Sequence, residues 1–435
     1  MWTHETPSPT VTHGRGHRSR PRMVGNVLAL GVVATISASA MASSDTEPGR
    51  AESRYVDLRA VPDSVLSRPH VVVLEMDRDE FAEIYENPGR RGRRWERPGR
   101  AAFLTNGQLT FESPVGIRVH GGSSRFLPAK SLRLFFRSSL GATPPRSSEV
   151  GLEGNARYET LVLHGDVRPD TGGLPFRFIN PISYTIARRL GVRTAATAPV
   201  SLVLNGAAPQ AYVTSEHLSP SLLKRVLGSD SLRVYDLRDA IDRERLRTEG
   251  PLPELRERLG PRSGWTMERV GEVVDLDNLS DWLLSVLFCG TRDLSQGTLV
   301  HDPSRAGPKW FWIGWDYDMS FGRLDGELGS SDSLHMNWLF GPAPGPETEA
   351  RKIILQHLFT TSEPFRQDFA RRFVRARDSL VTAGFLDETL SDYERAAAAH
   401  GITDVRYQSL ARTFLTRRPE ILTQQLRLHL TADLP

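Results

Sequence analysis

The sequence predicts an α+β fold, strand-rich in its first half and helical in its second, arranged as two lobes with a cleft between them. Three observations lead there. Apolar runs and Asn-Gly hairpin signals concentrate before residue 216, helix-period runs take over from residue 255, and a dense aromatic segment over 309–322 interrupts those helices and carries two aspartates. The 435 residues are 39% hydrophobic and 25% charged, an ordinary globular composition that suffices for one large domain or two smaller ones.

The first 42 residues stand apart from that fold. Arg15, Arg18, Arg20 and Arg22 precede an apolar stretch over 23–40 that closes on Ala38-Ser-Ala40-Met-Ala42, the layout of a cleavable secretory signal peptide. An uncleaved membrane anchor needs about 20 strongly apolar residues. Gly, Thr, Ser and Asn dilute this stretch, so cleavage is the favoured reading, with no stable transmembrane span left afterwards. The segment holds four arginines and one glutamate and so accounts for the whole formal charge of +3. The remainder is near neutral, and the pI of about 9.1 therefore gives no reason to expect nucleic acid as a partner. Cys289 is the single cysteine, so no intramolecular disulfide can form, and its apolar helical surroundings mark it as a buried hydrophobe rather than a nucleophile.

Residues 43–67 are polar and read as a flexible lead-in. Structure begins at His70-Val-Val-Val-Leu-Glu-Met76, a buried strand by its continuous apolar run. Asp77, with Glu80 three residues on, has the capping-box pattern for a short helix. The stretch over 87–100 is rich in Gly, Pro and Arg and reads as a loop. Asn106-Gly107 then sits between two apolar runs, a hairpin signal that recurs at Asn205-Gly206. Strands are expected on both sides of Gly121-Gly-Ser-Ser124 and over 160–164, and a helix over 178–190 that Gly191 stops. Residues 255–293 are mostly helical, the aromatic strand lies at 310–317, a loop follows residue 330, and the tail from Thr348 is amphipathic helix.

Four constellations could carry chemistry. In a strand, side chains alternate faces, so Asp316 and Asp318 would project from the same side of the aromatic strand. A hard divalent cation is the simplest partner for two adjacent carboxylates, Mg²⁺ bridging to phosphates being the commonest version. The structural alternative has Asp318 capping the following turn and Asp316 paired with an arginine. The Gly121-Gly-Ser-Ser124 turn followed by Lys130 could cradle a phosphate on backbone N–H groups, with Arg118, Arg125 and Arg133 nearby, or could be a turn and nothing more. Lys130 is one of only four lysines among 55 basic residues, which draws attention to it. Thr291-Arg292-Asp293-Leu294-Ser295-Gln296 after a long apolar helix suits either a catalytic loop, in which Asp293 meets an acceptor hydroxyl, or a capped helix end. Glu216 follows a strand and also suits a helix start.

In order along the chain, these segments resemble the CotH kinase family, named after spore coat protein H. The resemblance runs from about residue 68 to the end. It is carried by Gly116-Ile-Arg-Val-His-Gly-Gly-Ser-Ser-Arg125 with Ala129-Lys-Ser-Leu-Arg-Leu134, by Leu204-Asn-Gly206 with Tyr212 and Glu216, by Arg292-Asp293, and by Trp315-Asp-Tyr-Asp318 followed by Phe321-Gly322. It implies an atypical, two-lobed kinase-like fold over 68–435, with a strand-rich nucleotide lobe at 68–240, a catalytic segment at 241–330 and a helical tail at 331–435. It implies further a secreted or envelope protein that uses ATP and Mg²⁺ or Mn²⁺ to phosphorylate Ser or Thr of secreted or surface proteins. Carried over by position, Lys130, Arg118, Ser123 and Glu216 would belong to nucleotide binding, Asp293 would be the catalytic aspartate, and Asp316 and Asp318 would be metal ligands. Gln296 stands near where the family has an asparagine suited to a second metal contact, and Leu232-Arg-Val-Tyr-Asp-Leu237 lacks a lysine often found there. Two other readings remain: a kinase-like enzyme with another transfer, such as nucleotidylation or amino-acid ligation, and a catalytically degenerate kinase fold that acts as a surface or envelope scaffold.

Overall fold

Strand β1 (His70–Met76) is buried on both faces, which is why its sequence is a continuous apolar run rather than an alternation. The computed structural model describes residues 53–165, 178–294, 297–322, 339, 350–401 and 406–430. The expected signal segment, Gln296 and most of the loop expected after residue 330 lie outside the described residues. Strand β1 pairs antiparallel with β2 (Arg97–Thr105) and parallel with β6 (Thr197–Leu204). Asn106 and Gly107 take left-handed φ values of 48° and 81° and turn β2 into β3 (Gln108–Val119). The chain continues through β4 (Leu132–Phe135), β5 (Thr160–His164) and β7 (Gln210–Glu216), and the order β1-β2-β3-β4-β5-β7-β6 closes a barrel. Closure removes the exposed edges of the sheet.

Alternation decides what fills the barrel. Val72, Leu74, Ile117, Val119, Leu132, Leu134, Leu161, Leu163 and Tyr212 share its interior core. Their strand neighbours Val71, Val73, Ala102 and Leu104 face outward and pack on Val56, Leu58, Val61, Val65 and Leu66. The polar lead-in expected over 43–67 is thus corrected for its described part. Within it, α1 (Asp63–Leu66) and the turn before it cover the outer face of the barrel, because every third or fourth residue there is apolar. The loop expected over 87–100 is likewise shorter, since β2 already begins at Arg97. Helix α2 (Arg78–Glu86) starts as expected, with the Asp77 carboxylate accepting from the N–H groups of Asp79 and Glu80.

Helix α3 (Ile179–Arg189) ends at Gly191, φ 97°. It packs on α8 (Leu276–Cys289), to which the chain returns through α4 (Pro220–Leu227), β8 (Arg233–Asp236), α5 (Ala240–Glu249), α6 (Pro251–Leu259) and α7 (Met267–Gly271). Strands β8, β9 (Thr298–His301) and β10 (Trp310–Ile313) form a second, three-stranded antiparallel sheet that sits with the helices. Helices α9 (Ala350–Thr361), α10 (Glu363–Arg375), α11 (Ala383–Ala399) and α12 (Arg406–Leu430) complete this half. Its core joins α3, α8, the inner face of the second sheet and the tail helices around Trp282, Phe288, Trp310, Trp312, Phe369 and Phe373. Cys289 is fully buried there, and burial pushes its thiol up to about 12, so it packs as a hydrophobe. Arg418 of α12 is 1% exposed despite its charge and donates through Nε to the Leu287 carbonyl at 2.7 Å. The fold is α+β, with its two largest cores inside one compact unit spanning Arg50–Pro435. Among the described residues no helix is long and apolar enough to cross a membrane.

Candidate active site

Two loop ends from the helical half are stitched together by main-chain bonds. Helix α8 stops at Gly290, φ 60°, where a side chain would strike the Phe414 ring at 2.4 Å. The N–H of Arg292 donates to the Met319 carbonyl at 2.9 Å, the N–H of Phe321 donates to the Cys289 carbonyl at 2.9 Å, and the hydroxyls of Thr291 and Ser320 meet at 2.7 Å. These bonds draw residues 291–293 alongside residues 318–321. Asp293 and Asp318 thereby line one cavity, although 24 residues of chain separate the two ladders that make it.

Asp316 arrives there by a different route from the one alternation suggests. Strand β10 ends at Ile313, and Asp316 has φ 62°, in the left-handed region that non-glycine residues seldom adopt. The expected strand over 310–317, and with it the same-face argument for the aspartate pair, is corrected. The chain leaves the sheet where the Gly314 N–H donates to the Arg193 carbonyl at 2.8 Å, and the Asp316 N–H then donates to the Tyr184 hydroxyl on α3 at 3.0 Å. Tyr317 turns into the core and bonds the Ser285 hydroxyl at 2.8 Å. Asp316 and Asp318 line the same cavity because the turn around Asp316 is held by α3 and α8.

The opposite wall comes from the barrel. After β3, His120 still donates its N–H to the Ser131 carbonyl at 2.8 Å, and the chain then turns at Gly121, φ 112°. A Cβ at Gly121 would lie 2.2 Å from the Ser124 hydroxyl, so the turn requires glycine, whereas a Cβ at Gly122 would meet nothing within 4 Å. The cavity holds about 290 Å³ and is lined by His120, Gly121 to Ser124, Ser131, His164, Asn180, Arg238, Asp293, Trp315, Asp316, Asp318 and Met319. It lies near the lower end of the range for small-ligand sites.

Charge in the cavity is unequally divided. All its carboxylates come from the helical half. Arg238, on the turn after β8, donates to Asp316 Oδ2 at 3.0 Å and to Asp236 Oδ1 at 3.4 Å. Burial opposes its charge, but Asp316 and Asp236 outweigh that and raise its pKa. The barrel side carries neutral rings instead. His120 and His164 stand 5.9 Å apart, His120 and His217 6.1 Å, and His164 and Trp315 6.2 Å. Burial, seconded by Arg238, pushes His164 down to about 4. Burial, then Arg133, Arg238, Arg118 and His164, pushes His217 down to about 3. His217 Nδ1 can accept the hydrogen bond from Arg133 Nη2 at 3.0 Å only as a neutral ring.

Of the residues singled out in the sequence, the cavity gathers Ser123, Asp293, Asp316 and Asp318. Lys130 is not among its lining residues: its amine donates to the Leu127 carbonyl at 3.1 Å and lies over the Tyr85 ring. Arg118 stands beside Arg133 in the β3–β4 register, and both guanidinium groups lie about 5 Å from the Phe135 ring, outside the cavity lining. Glu216 lines a separate cavity of about 740 Å³ with Arg146, Arg193 and Arg225, and its carboxylate accepts from the Tyr158 hydroxyl at 2.7 Å and the Ala196 N–H at 2.9 Å. Sequence reasoning missed His120, His164, Asn180, Arg238 and Trp315. Two of them had a signal: His120 immediately precedes the Gly-Gly turn, and Trp315 opens the Trp-Asp-Tyr-Asp motif.

A divalent metal and a nucleotide phosphate both fit this donor set. Among the described residues no three His, Cys, Asp or Glu side chains form a ready-made metal cage. Mg²⁺ needs no such cage, because it takes one or two carboxylates, substrate phosphates and water. On the phosphate side, the indole Nε1 of Trp315 is buried without a hydrogen-bond partner, a donor left over on the cavity wall.

The family model described as CotH kinase protein matches residues 117–251 and 257–416. The chain belongs to the CotH kinase family. Membership places it among atypical kinases, and ATP and a divalent metal go with such an assignment in general. Two solved structures align with the CotH domain over long stretches. One is the Helicobacter pylori proinflammatory kinase CtkA, at 11% identity and TM-score 0.35, covering 71% of this chain and 94% of that one. The other is hydra Fam20 with sugar, also at 11% and 0.35, covering 85% and 88%. The family assignment rests on the sequence match and not on these two superpositions. No curated protein matched the chain.

Proposed function

We propose that this CotH protein is an exported atypical protein kinase that transfers the γ-phosphoryl group of ATP to Ser or Thr hydroxyls of extracytoplasmic proteins. The observation that carries the reading is the shared cavity, in which Asp293 faces the Gly-Gly-Ser-Ser turn with Asp316 and Asp318 alongside. Asp293 orients the acceptor hydroxyl and takes its proton as the oxygen bonds to the γ-phosphorus and the bridge to ADP breaks. Asp316 and Asp318 would hold the divalent cation, which supplies neutralising charge to the phosphates. Ser123, Trp315 and Arg238 line the same cavity and would offer donors to phosphate oxygens. Export rests on the basic and apolar layout of residues 1–42 with its small-residue cleavage sites.

A second reading has its own support. Arg238 already neutralises Asp316 and Lys130 stays away from the cavity, as in a kinase fold that binds partners without catalysing. The deciding experiment incubates the full chain with γ-labelled ATP, Mg²⁺ or Mn²⁺, and secreted proteins of the source organism. Labelled protein that falls by about 10²–10⁴ in Asp293→Ala is the expected result. Absence of label with wild-type protein, together with no ATP-dependent thermal shift and full partner binding by Asp293→Ala, overturns the kinase reading in favour of the scaffold. Label from α-labelled ATP would replace phosphoryl transfer by nucleotidylation.

A further inference from the structure

We propose that Asn180 is a metal ligand of the cavity, supplying the amide oxygen that the sequence suggested at Gln296. This rests on the kinase reading above and adds to it a residue from a different part of the chain. Asn180 lies in the first turn of α3 and lines the cavity together with Asp293, Asp316 and Asp318. Its Oδ1 is buried and has no hydrogen-bond partner. A buried amide oxygen without a partner costs on the order of 1–3 kcal/mol, so such an atom persists where another requirement holds it. The cavity names that requirement. An amide carbonyl is a hard oxygen donor of the kind Mg²⁺ and Mn²⁺ take, and it completes two carboxylates without adding a third negative charge.

The surroundings of Asn180 bear on the same point independently. Tyr184, one helical turn along α3, accepts the N–H of Asp316 at 3.0 Å, so the helix that carries Asn180 also fixes the left-handed turn that presents Asp316. Trp315, between that turn and the sheet, is 6% exposed, and its Nε1 is a second unpartnered atom on the same wall. One leftover acceptor and one leftover donor thus belong to residues that line a cavity that would receive a cation and a phosphate.

Mn²⁺ serves as the probe. Free Mn²⁺ is counted by electron paramagnetic resonance in titrations of the full chain with ADP present, for wild type, Asn180→Ala, Asn180→Asp and, as a reference, Asp316→Asn. Asn180→Ala is expected to weaken Mn²⁺ binding by about tenfold or more, the loss already seen when outer-shell partners of a metal are removed. Asn180→Asp, which keeps an oxygen and adds charge, is expected to bind at least as tightly as wild type. Melting without metal separates this from a structural role. A ligand makes no bonds to lose, so Asn180→Ala should melt with wild type in metal-free buffer and show a smaller Mn²⁺-induced rise. Wild-type Mn²⁺ affinity in Asn180→Ala, or in every variant including Asp316→Asn, overturns the proposal. If ATP-dependent labelling persists in that case, the kinase reading stands and the assignment of Asn180 alone falls.

Discussion

The barrel and the helical half meet at the cavity with opposite contributions. The barrel is a closed ladder of regularly paired strands, and it offers the site a glycine turn, hydroxyls and neutral imidazoles. The helical half offers all three carboxylates, each from a loop end held by a handful of specific bonds. Regular pairing makes a rigid wall, but it places side chains only where the pleat allows. Chemistry that needs three carboxylates in one cavity is built where chain ends leave regular structure, which here costs two non-glycine residues at positive φ, Asp316 and Phe321.

If that division is right, damage to the two halves should differ in kind. The largest stability effect is expected from Phe288→Ala, since Phe288 is 1% exposed and stacks on Phe373 at 6.0 Å beneath the Asp293 loop. A loss of about 3–5 kcal/mol in urea unfolding should be accompanied by collapse of activity, because α8 carries that loop. Equal loss of stability from Leu134→Ala in the barrel, with activity per folded molecule retained, would sharpen the contrast. Activity lost equally in both would break it.

Gly121→Ala tests the barrel wall itself. Its φ of 112° and the clash with Ser124 predict a cost on the order of 1–3 kcal/mol. ATP-analogue affinity measured by calorimetry should fall more than melting temperature does, since the strain sits in the turn that faces the phosphates. Unchanged affinity would show that the turn is only a connection between β3 and β4.

The smallest effect is a pH dependence that belongs to the barrel side. His164 and His217 are held to about 4 and about 3 in the folded chain, against about 6.5 for an unfolded histidine. The unfolded state therefore binds more protons below pH 6.5. Stability present above that pH is lost as pH falls through the window from about 6.5 toward 4 and 3, by up to about 1.4 kcal/mol per unit for each ring. Arg133, Arg238 and Arg118 oppose the protonation of His217, and Arg238 opposes that of His164. Urea midpoints at pH 7.5 and 5 should differ less in His217→Gln, which keeps an acceptor for Arg133, than in wild type. An unchanged difference would mean that other groups carry the dependence.

Local rules made much of the fold legible. Asn106-Gly107 and Asn205-Gly206 could only turn and Gly191 could only stop a helix, whereas the apolar runs marked strands without marking that they close into a barrel. Family-specific order did the same for Asp293, Asp316 and Asp318, which are all in the cavity. Where the reading failed, it failed by trusting local periodicity across an element's end. The aromatic run continues past Ile313 without remaining strand, so the period that would put Asp316 and Asp318 on one face ends before it reaches them.

By itself, then, the sequence determined the α+β class, the turns and the kinase family, and it singled out three acidic residues that share the cavity, because each depends on neighbours within a few positions or on an ordered set of motifs. Only the tertiary structure decided that Arg238 would pair with Asp316, that Glu216 would line a different cavity, and that Asn180 would bring an unpartnered oxygen to the acids. Those outcomes depend on which faces of distant elements meet, and with so many arginines in the chain no local pattern marks the one that closes on the site.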